Sequence, residues 1–126
     1  MKKAINTTNA PAAIGPYSQA ILSNNTLYIS GQIPINPLSG KLVESGIEEE
    51  TKQCMENLKA ILTEAKMTFE QVVKATIFIK DMSQFSRIND VYSQFFEGII
   101  PPARETVEVS ELPKNVNIEI SMIAVK

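Results

Sequence analysis

The chain has 126 residues, 44% hydrophobic and 21% charged, which is typical of one globular domain spanning residues 1–126. Its 12 basic and 14 acidic side chains are scattered and give a net charge of -2, so a nucleic-acid-binding surface is not expected. The chain has no histidine, which excludes histidine-dependent nucleophiles and histidine-ligated metal sites.

The N-terminal part of the sequence predicts a β-hairpin. Residues 18–22 and 26–30 are short runs that favour strands. Asn24 and Asn25 lie between these runs and tolerate the left-handed backbone of a tight turn. Pro34, Pro37 and Gly40 then indicate an irregular connection, because proline removes a backbone donor and glycine frees the backbone.

A long amphipathic helix is predicted next. Ser45 and Glu48 have the spacing of a capping box, so we expect the helix to begin here. Apolar residues then recur at helical spacing over about five turns, while charged residues fall on the other side. The apolar positions are Cys54, Leu58, Ile61, Leu62 and Ala65.

The second half of the chain predicts strand, helix, strand, strand. Residues 72–80 alternate between two faces, one with Val73, Ala75, Ile77 and Ile79 and the other with Lys74, Thr76, Phe78 and Lys80. The second helix ends at Gly98 before two prolines, and residues 104–109 and 117–125 form the last strands. One face of this helix carries Ile88, Val91, Tyr92, Phe95 and Phe96.

This order of elements predicts an α+β fold in which two helices pack on one face of a single sheet. Such a sheet leaves its second face uncovered, and Phe78 is expected on that face. An apolar residue there is poorly suited to water. We therefore expect the chain to form a homo-oligomer.

The only cysteine, Cys54, cannot form an internal disulfide, and its helical spacing with Leu58 indicates burial rather than reactivity. No signal peptide and no apolar run long enough to span a bilayer is recognisable. These features predict a cytoplasmic protein that does not bind membranes.

Two charged residues are candidates for chemistry. Arg104 opens a strand after Pro101 and Pro102, and its planar guanidinium can bind a carboxylate through two hydrogen bonds. Glu119 interrupts an apolar strand, where a charge is costly unless it faces solvent, a partner or a site. The ordinary alternatives are a surface ion pair for Arg104 and a solvent-facing position for Glu119. No metal-binding or phosphate-binding motif occurs, so no cofactor and no metal are expected.

Four motifs in order resemble the reactive intermediate deaminase (RidA, formerly YjgF) family along nearly the whole chain. They are residues 15–20 (GPYSQA), 30–32 (SGQ), 102–104 (PAR) and 112–114 (LPK). The resemblance implies a chorismate-mutase-like fold, with a mixed sheet, and a homotrimer with active-site clefts between subunits. It also implies hydrolysis of 2-imino acids or their enamine tautomers, namely 2-iminopropanoate and 2-iminobutanoate, to 2-oxo acids and ammonia, without metal or cofactor.

The same resemblance implies roles for individual residues. Arg104 would hold the substrate carboxylate, and Glu119 would orient the attacking water. Tyr17, Ser30, Gly31 and Asn89 would line the cleft, and the backbone of Thr106 would bond the substrate near its nitrogen. Glu105 and Thr106 depart from residues found in many members, although strand alternation points Glu105 away from Arg104.

Two other functions stay open. The first is a non-catalytic trimer that binds small carboxylates or acts as a chaperone, because the same arginine can bind an anion without turnover. The second is a ribonuclease or translation inhibitor, a function sometimes attached to this family. The net negative charge and the lack of histidine argue against the ribonuclease.

Overall fold

The structure, a computed structural model, describes all of residues 1–126 and contains one six-stranded mixed sheet and two α-helices. The sheet order is β1-β2-β3-β6-β4-β5, and the β4–β5 pair alone is parallel. This confirms the predicted α+β class. The strands are β1 (Lys2–Ile5), β2 (Ala20–Ser23), β3 (Thr26–Gln32), β4 (Val72–Ile79), β5 (Ala103–Glu108) and β6 (Ile118–Val125), and the helices are α1 (Ile47–Glu64) and α2 (Phe85–Gln94).

The hydrophobic core lies between one face of the sheet and α1, which contacts β3 and β6. The predicted apolar stripe of α1 is buried along its whole length, as expected. It faces fully buried strand residues such as Leu27, Ile77 and Ile120. Burial of each such side chain contributes about 1.5–3 kcal/mol, so this layer fixes how the sheet and the helix sit together.

The predicted hairpin is present, with a two-residue turn at Asn24 and Asn25. Ser23 pairs with Thr26, and Asn24 adopts the left-handed conformation with a φ of 55°. The first strand of the hairpin, β2, begins at Ala20 rather than at residue 18. The residue before it, Gln19, is part of the preceding loop, where its side chain bonds the backbone of Thr7 and of two further loop residues. The sequence analysis missed β1, a four-residue edge strand with three exposed side chains.

The predicted capping box at the start of α1 is wrong. The helix begins one residue later, with Gly46 as N-cap at a φ of 129°, and no side chain caps it. Glu48 does not turn back to the helix start, because its two oxygens accept hydrogen bonds of 2.8 Å from the Arg87 guanidinium on α2. Those bonds lower the pKa of Glu48 to about 2. The carboxylate that resembled a cap therefore links the two helices.

The strand predicted over residues 72–80 is present as Val72–Ile79, and its predicted buried face is right except at Val73. Ala75, Ile77 and Ile79 are buried, whereas Val73 is 49% exposed. A register shift between Val72 and Lys74 in the pairing with β6 reverses the alternation, so that Val72 is buried instead. Such an irregularity leaves no mark in the local sequence.

The second helix ends at Gln94, earlier than predicted, and residues 95–98 form turns that end at Gly98, which has a φ of 75°. Of the five residues predicted on its apolar face, Ile88, Tyr92 and Phe96 are buried. Val91 and Phe95 are half-buried. The two helices lie side by side on one face of the sheet, as predicted. No helix has the length and hydropathy needed to cross a bilayer.

Candidate functional site

Arg104 lies near the start of β5, on the face of the sheet that α2 covers. Its Nη1 donates a hydrogen bond of 2.7 Å to Oδ1 of Asn89. Its guanidinium carbon lies 4.9 Å from the ring centroid of Tyr92 and 5.6 Å from that of Phe85. No carboxylate forms an ion pair with Arg104, because the ion pairs of the chain join other residues.

The guanidinium is therefore held on one side and unpaired on the other. Nε and Nη2 of Arg104 have no acceptor within the chain, and the side chain is half-buried. A guanidinium in this state can bind a carboxylate through two parallel hydrogen bonds. The alternative considered for Arg104, a surface ion pair, does not form.

Thr106 follows on the same face of β5, since Arg104 pairs with Ala75 and Thr106 pairs with Ile77. Its Oγ1 is buried and has no hydrogen-bond partner. β5 is the edge strand of the sheet, so some of its backbone groups face away from β4 and can bond a ligand. We call Arg104, Asn89 and Thr106 the arginine cluster.

Glu119 lies on the opposite face of the sheet. It pairs with Phe78, and residues that pair directly share a face. Phe78 also pairs with Val107, so Glu119 shares a face with Val107 and Glu105, not with Arg104. Within one chain the sheet itself separates the guanidinium from the carboxylate.

The Glu119 side chain occupies space that Gly31 leaves open. A Cβ atom on Gly31 would lie 2.7 Å from Cδ and 2.9 Å from Cγ of Glu119, so the Glu119 side chain would have to move. Gly31 stands where the pairing of β3 with β6 is irregular, between Ile29 and Gln32. The Glu119 carboxylate can therefore occupy this position because residue 31 is a glycine, which has no side chain.

The electrostatic setting of Glu119 differs from that of the other carboxylates. No donor of the chain bonds its oxygens, and burial raises its pKa above the ordinary value. Desolvation disfavours the charged form of a carboxyl group, which makes the carboxylate a better proton acceptor. The Glu119 carboxylate therefore accepts a proton more readily than an exposed glutamate does.

A cavity of about 510 Å³ opens beside Glu119, and four of the predicted site residues line it. We call Tyr17, Ser30, Gly31 and Glu119 the glutamate cavity. The Ser30 hydroxyl donates to the carbonyl of Ser18 at 2.6 Å, which leaves its lone pairs free to accept. The Tyr17 hydroxyl accepts from the backbone of Ile14 at 3.4 Å and is otherwise open.

Glu105 lies on the face of the sheet opposite to Arg104, as the strand alternation predicts. Its carboxylate accepts from the Thr76 hydroxyl at 2.6 Å and pairs with the Lys74 ammonium at 2.8 Å. Those two partners lower the pKa of Glu105. Its charge is therefore compensated on the far side of the sheet.

The sequence analysis missed the aromatic residues beneath the guanidinium. It assigned Tyr92 only to the core and did not use Phe85. Phe85, Asn89 and Tyr92 are spaced four and three residues apart, so they lie on one face of α2. A polar residue between two aromatic residues at this spacing is the signal that could have been used.

No group of three or more cysteine, aspartate, glutamate or histidine side chains is arranged to hold a metal ion. The polar groups of the arginine cluster and the glutamate cavity are one guanidinium, one carboxyl group, a side-chain amide, a few hydroxyls and the backbone. These groups can bind a small anion and move a proton.

Comparisons with known proteins agree over the full chain. A family model described as Endoribonuclease L-PSP matches residues 7–126. A RutC family protein of Pyrococcus horikoshii is 52% identical over 100% of this chain and 99% of its own. The 2-iminobutanoate/2-iminopropanoate deaminase of Bos taurus is 49% identical over 100% of this chain and 91% of its own.

Solved structures give the same result. A protein of the conserved Rid family from Yersinia pestis is 53% identical, with a TM-score of 0.98 and full coverage of both chains. The structure of TdcF from E. coli with bound serine is 40% identical, with a TM-score of 0.95 and 98% coverage of each chain. The fold of the chain is thus that of these proteins.

Proposed function

The chain belongs to the RidA/YjgF family, whose family model is described as Endoribonuclease L-PSP, and we propose that it hydrolyses 2-iminobutanoate and 2-iminopropanoate. The products are the 2-oxo acids and ammonia. Relatives named for this activity are 47–49% identical over the whole chain. The observation that carries the proposal is the half-buried Arg104 guanidinium, which is fixed on one side and has no carboxylate partner.

Arg104 binds the substrate carboxylate through its free nitrogens, and the backbone of Thr106 bonds the substrate near the imine nitrogen. Two charge-assisted hydrogen bonds contribute about 3 kcal/mol, which holds the imine carbon in a fixed place. That carbon is already electrophilic. Hydrolysis therefore needs a positioned water and a proton acceptor rather than an activated protein nucleophile.

Glu119 accepts a proton from the attacking water while the water oxygen bonds the imine carbon. The proton then passes to the nitrogen, which gives a carbinolamine with one hydroxyl and one amino group. The hydroxyl proton moves to the amino nitrogen as the carbon–nitrogen bond breaks, so the carbonyl forms and ammonia leaves. Each atom and charge is accounted for by the imine and one water. The raised pKa of Glu119 suits both halves of this step, because the group must take and return the same proton.

The site is shared between protomers in a homotrimer. The arginine cluster and the glutamate cavity lie on opposite faces of the sheet and cannot meet within one chain. In a closed ring, a head-to-tail contact brings the arginine cluster of one protomer to the glutamate cavity of the next. The location of the protein in the cytoplasm stays a prediction.

The test couples the protein to a threonine dehydratase, which generates the imine in situ, and measures ammonia release. The wild type is expected to accelerate release, and Arg104→Ala and Glu119→Gln to lose that acceleration. Arg87→Ala and Glu48→Gln are matched controls, because they remove an arginine and a glutamate that pair on the surface. Equal rates in wild type, Arg104→Ala and Glu119→Gln would refute the deaminase.

A second candidate function is binding of small carboxylates without turnover. The bound serine named for the TdcF structure favours it, because serine carries a carboxylate. This candidate predicts that the wild type binds 2-oxobutanoate but releases no ammonia above the uncatalysed rate. The same coupled assay, run beside a binding measurement, separates the two functions.

A further inference from the structure

Tyr92 contacts the Arg104 guanidinium although no part of the reaction requires a tyrosine there. Its ring centroid is 4.9 Å from the guanidinium carbon, closer than that of Phe85 at 5.6 Å. A cation over an aromatic face is attracted by the ring, and the attraction is larger where water is excluded. Tyr92 is only 5% exposed, so this contact is largely shielded from water.

The hydroxyl of Tyr92 does not explain why the residue is there. The oxygen is buried and has no hydrogen-bond partner. Burial also raises the pKa of Tyr92 to about 12, so the group stays neutral and cannot pair with the guanidinium as an anion. The contribution of Tyr92 to the arginine cluster therefore comes from the face of its ring.

The ring and the amide of Asn89 constrain the guanidinium in different ways. Asn89 fixes Nη1 through a bond of 2.7 Å, while the guanidinium carbon lies over the Tyr92 ring. Both residues project from one face of α2, whose position is set by buried Ile88 and by the packing of Tyr92 on Phe96. Nε and Nη2 have no acceptor in the chain and are available to a ligand.

We propose that Tyr92 is a positioning residue of the carboxylate site: its ring holds the Arg104 guanidinium so that Nε and Nη2 face the substrate carboxylate. This inference rests on the proposed role of Arg104 in binding. A preorganised guanidinium loses less side-chain freedom on binding, so the ring affects affinity rather than the proton transfer at Glu119. The ring, not the hydroxyl, carries the effect.

The test measures the Kd of 2-oxobutanoate by calorimetry, together with KM and kcat in the coupled assay, for Tyr92→Phe and Tyr92→Leu. Tyr92→Phe keeps the ring and should stay within about 2-fold of wild type in Kd and KM. Tyr92→Leu should raise both by roughly 3- to 30-fold, with kcat changed much less. This split between KM and kcat would not arise from general loss of packing.

Phe69→Leu is the matched control, because it also removes a buried ring but contacts Phe95 and Phe96 rather than Arg104. It should lower the Tm as Tyr92→Leu does while leaving Kd unchanged. Equal Kd in wild type and Tyr92→Leu would overturn the inference, as would equal weakening by Phe69→Leu or by Tyr92→Phe.

The failure of the proposed function gives a different result. A wild type that binds 2-oxobutanoate but releases no ammonia removes the deaminase and leaves the role of Tyr92 intact, provided that Tyr92→Leu weakens the binding. A wild type that binds no 2-oxobutanoate shows that the arginine cluster is not a carboxylate site, and the inference then falls.

Discussion

The arginine cluster and the glutamate cavity prepare their charged groups in opposite ways. Arg104 is held by contacts on one side, with the Asn89 amide bonded to Nη1 and the guanidinium carbon over the Tyr92 ring. Glu119 has no bonded partner, and it occupies a space that exists because residue 31 lacks a side chain. A group that binds must be held still, whereas a group that accepts a proton must be left uncompensated.

The largest expected effect comes from removing the Arg104 guanidinium. Arg104→Ala should raise the Kd of 2-oxobutanoate and lower kcat/KM by about 100-fold, because two charge-assisted hydrogen bonds are lost. Arg104→Lys keeps the charge but not the fork, and should recover only part of the affinity. If Arg104→Lys binds as tightly as wild type, the two-bond contact is wrong.

The next prediction tests whether the Glu119 carboxylate needs the space that Gly31 leaves open. Gly31→Ala should push the Glu119 carboxylate aside, lowering kcat by about 10-fold or more. Crowding of this kind also costs about 1–3 kcal/mol of stability, measurable by urea unfolding. The Kd of 2-oxobutanoate should change little, since the arginine cluster is untouched. A variant that loses binding and keeps kcat would reverse the assigned roles.

The pH dependence of kcat and of stability distinguishes Glu119 from Glu48. The pKa of Glu119 is raised by burial, so the acid limb of the wild-type kcat should lie above the ordinary glutamate value of 4.5. A raised carboxyl pKa also means that the folded state binds its proton more tightly than the unfolded state. The associated stability is present below the unfolded pKa and is lost as pH rises through the folded one.

The contribution of Glu48 to stability changes with pH in the opposite direction to that of Glu119. Its pKa is lowered to about 2, so its stabilising contribution is present above 4.5 and is lost as pH falls toward 2. Urea unfolding at several pH values should show Glu119→Gln gaining stability at neutral pH and Glu48→Gln losing it. Changes of equal sign in the two variants would contradict the assigned pKa shifts.

The smallest effect concerns Thr106. Its Oγ1 is buried without a partner, so Thr106→Val should leave stability unchanged or raise it by up to about 1 kcal/mol. Activity should be retained, because the backbone rather than the hydroxyl of Thr106 is assigned to the substrate. A large loss of kcat/KM in a folded Thr106→Val protein would show that the hydroxyl takes part.

Periodicity predicted most of the fold, because the buried faces of α1 and β4 follow the helical and strand repeats. Periodicity failed at two positions whose structure is set by contacts with other parts of the chain. Glu48 resembled a cap but pairs with Arg87, and Val73 matched the alternation but lies at a register shift. Both outcomes depend on residues far away in the chain, which local patterns do not contain.

The site was predictable only in part. Alternation within β5 placed Glu105 away from Arg104, and the structure agrees. The separation of Arg104 from Glu119 depends on the registers of two strand pairs, which a single sequence does not reveal. The aromatic support beneath Arg104 was likewise hidden, because Tyr92 has the spacing of an ordinary core residue.

The most direct test of the shared site mixes two inactive variants. Arg104→Ala and Glu119→Gln subunits, unfolded and refolded together in equal amounts, should form hybrid trimers in which one cleft has both groups intact. Random assembly then predicts recovery of about 25% of the wild-type activity. Trimers that form hybrids but recover no activity above that of the separate variants would contradict a site built from two protomers.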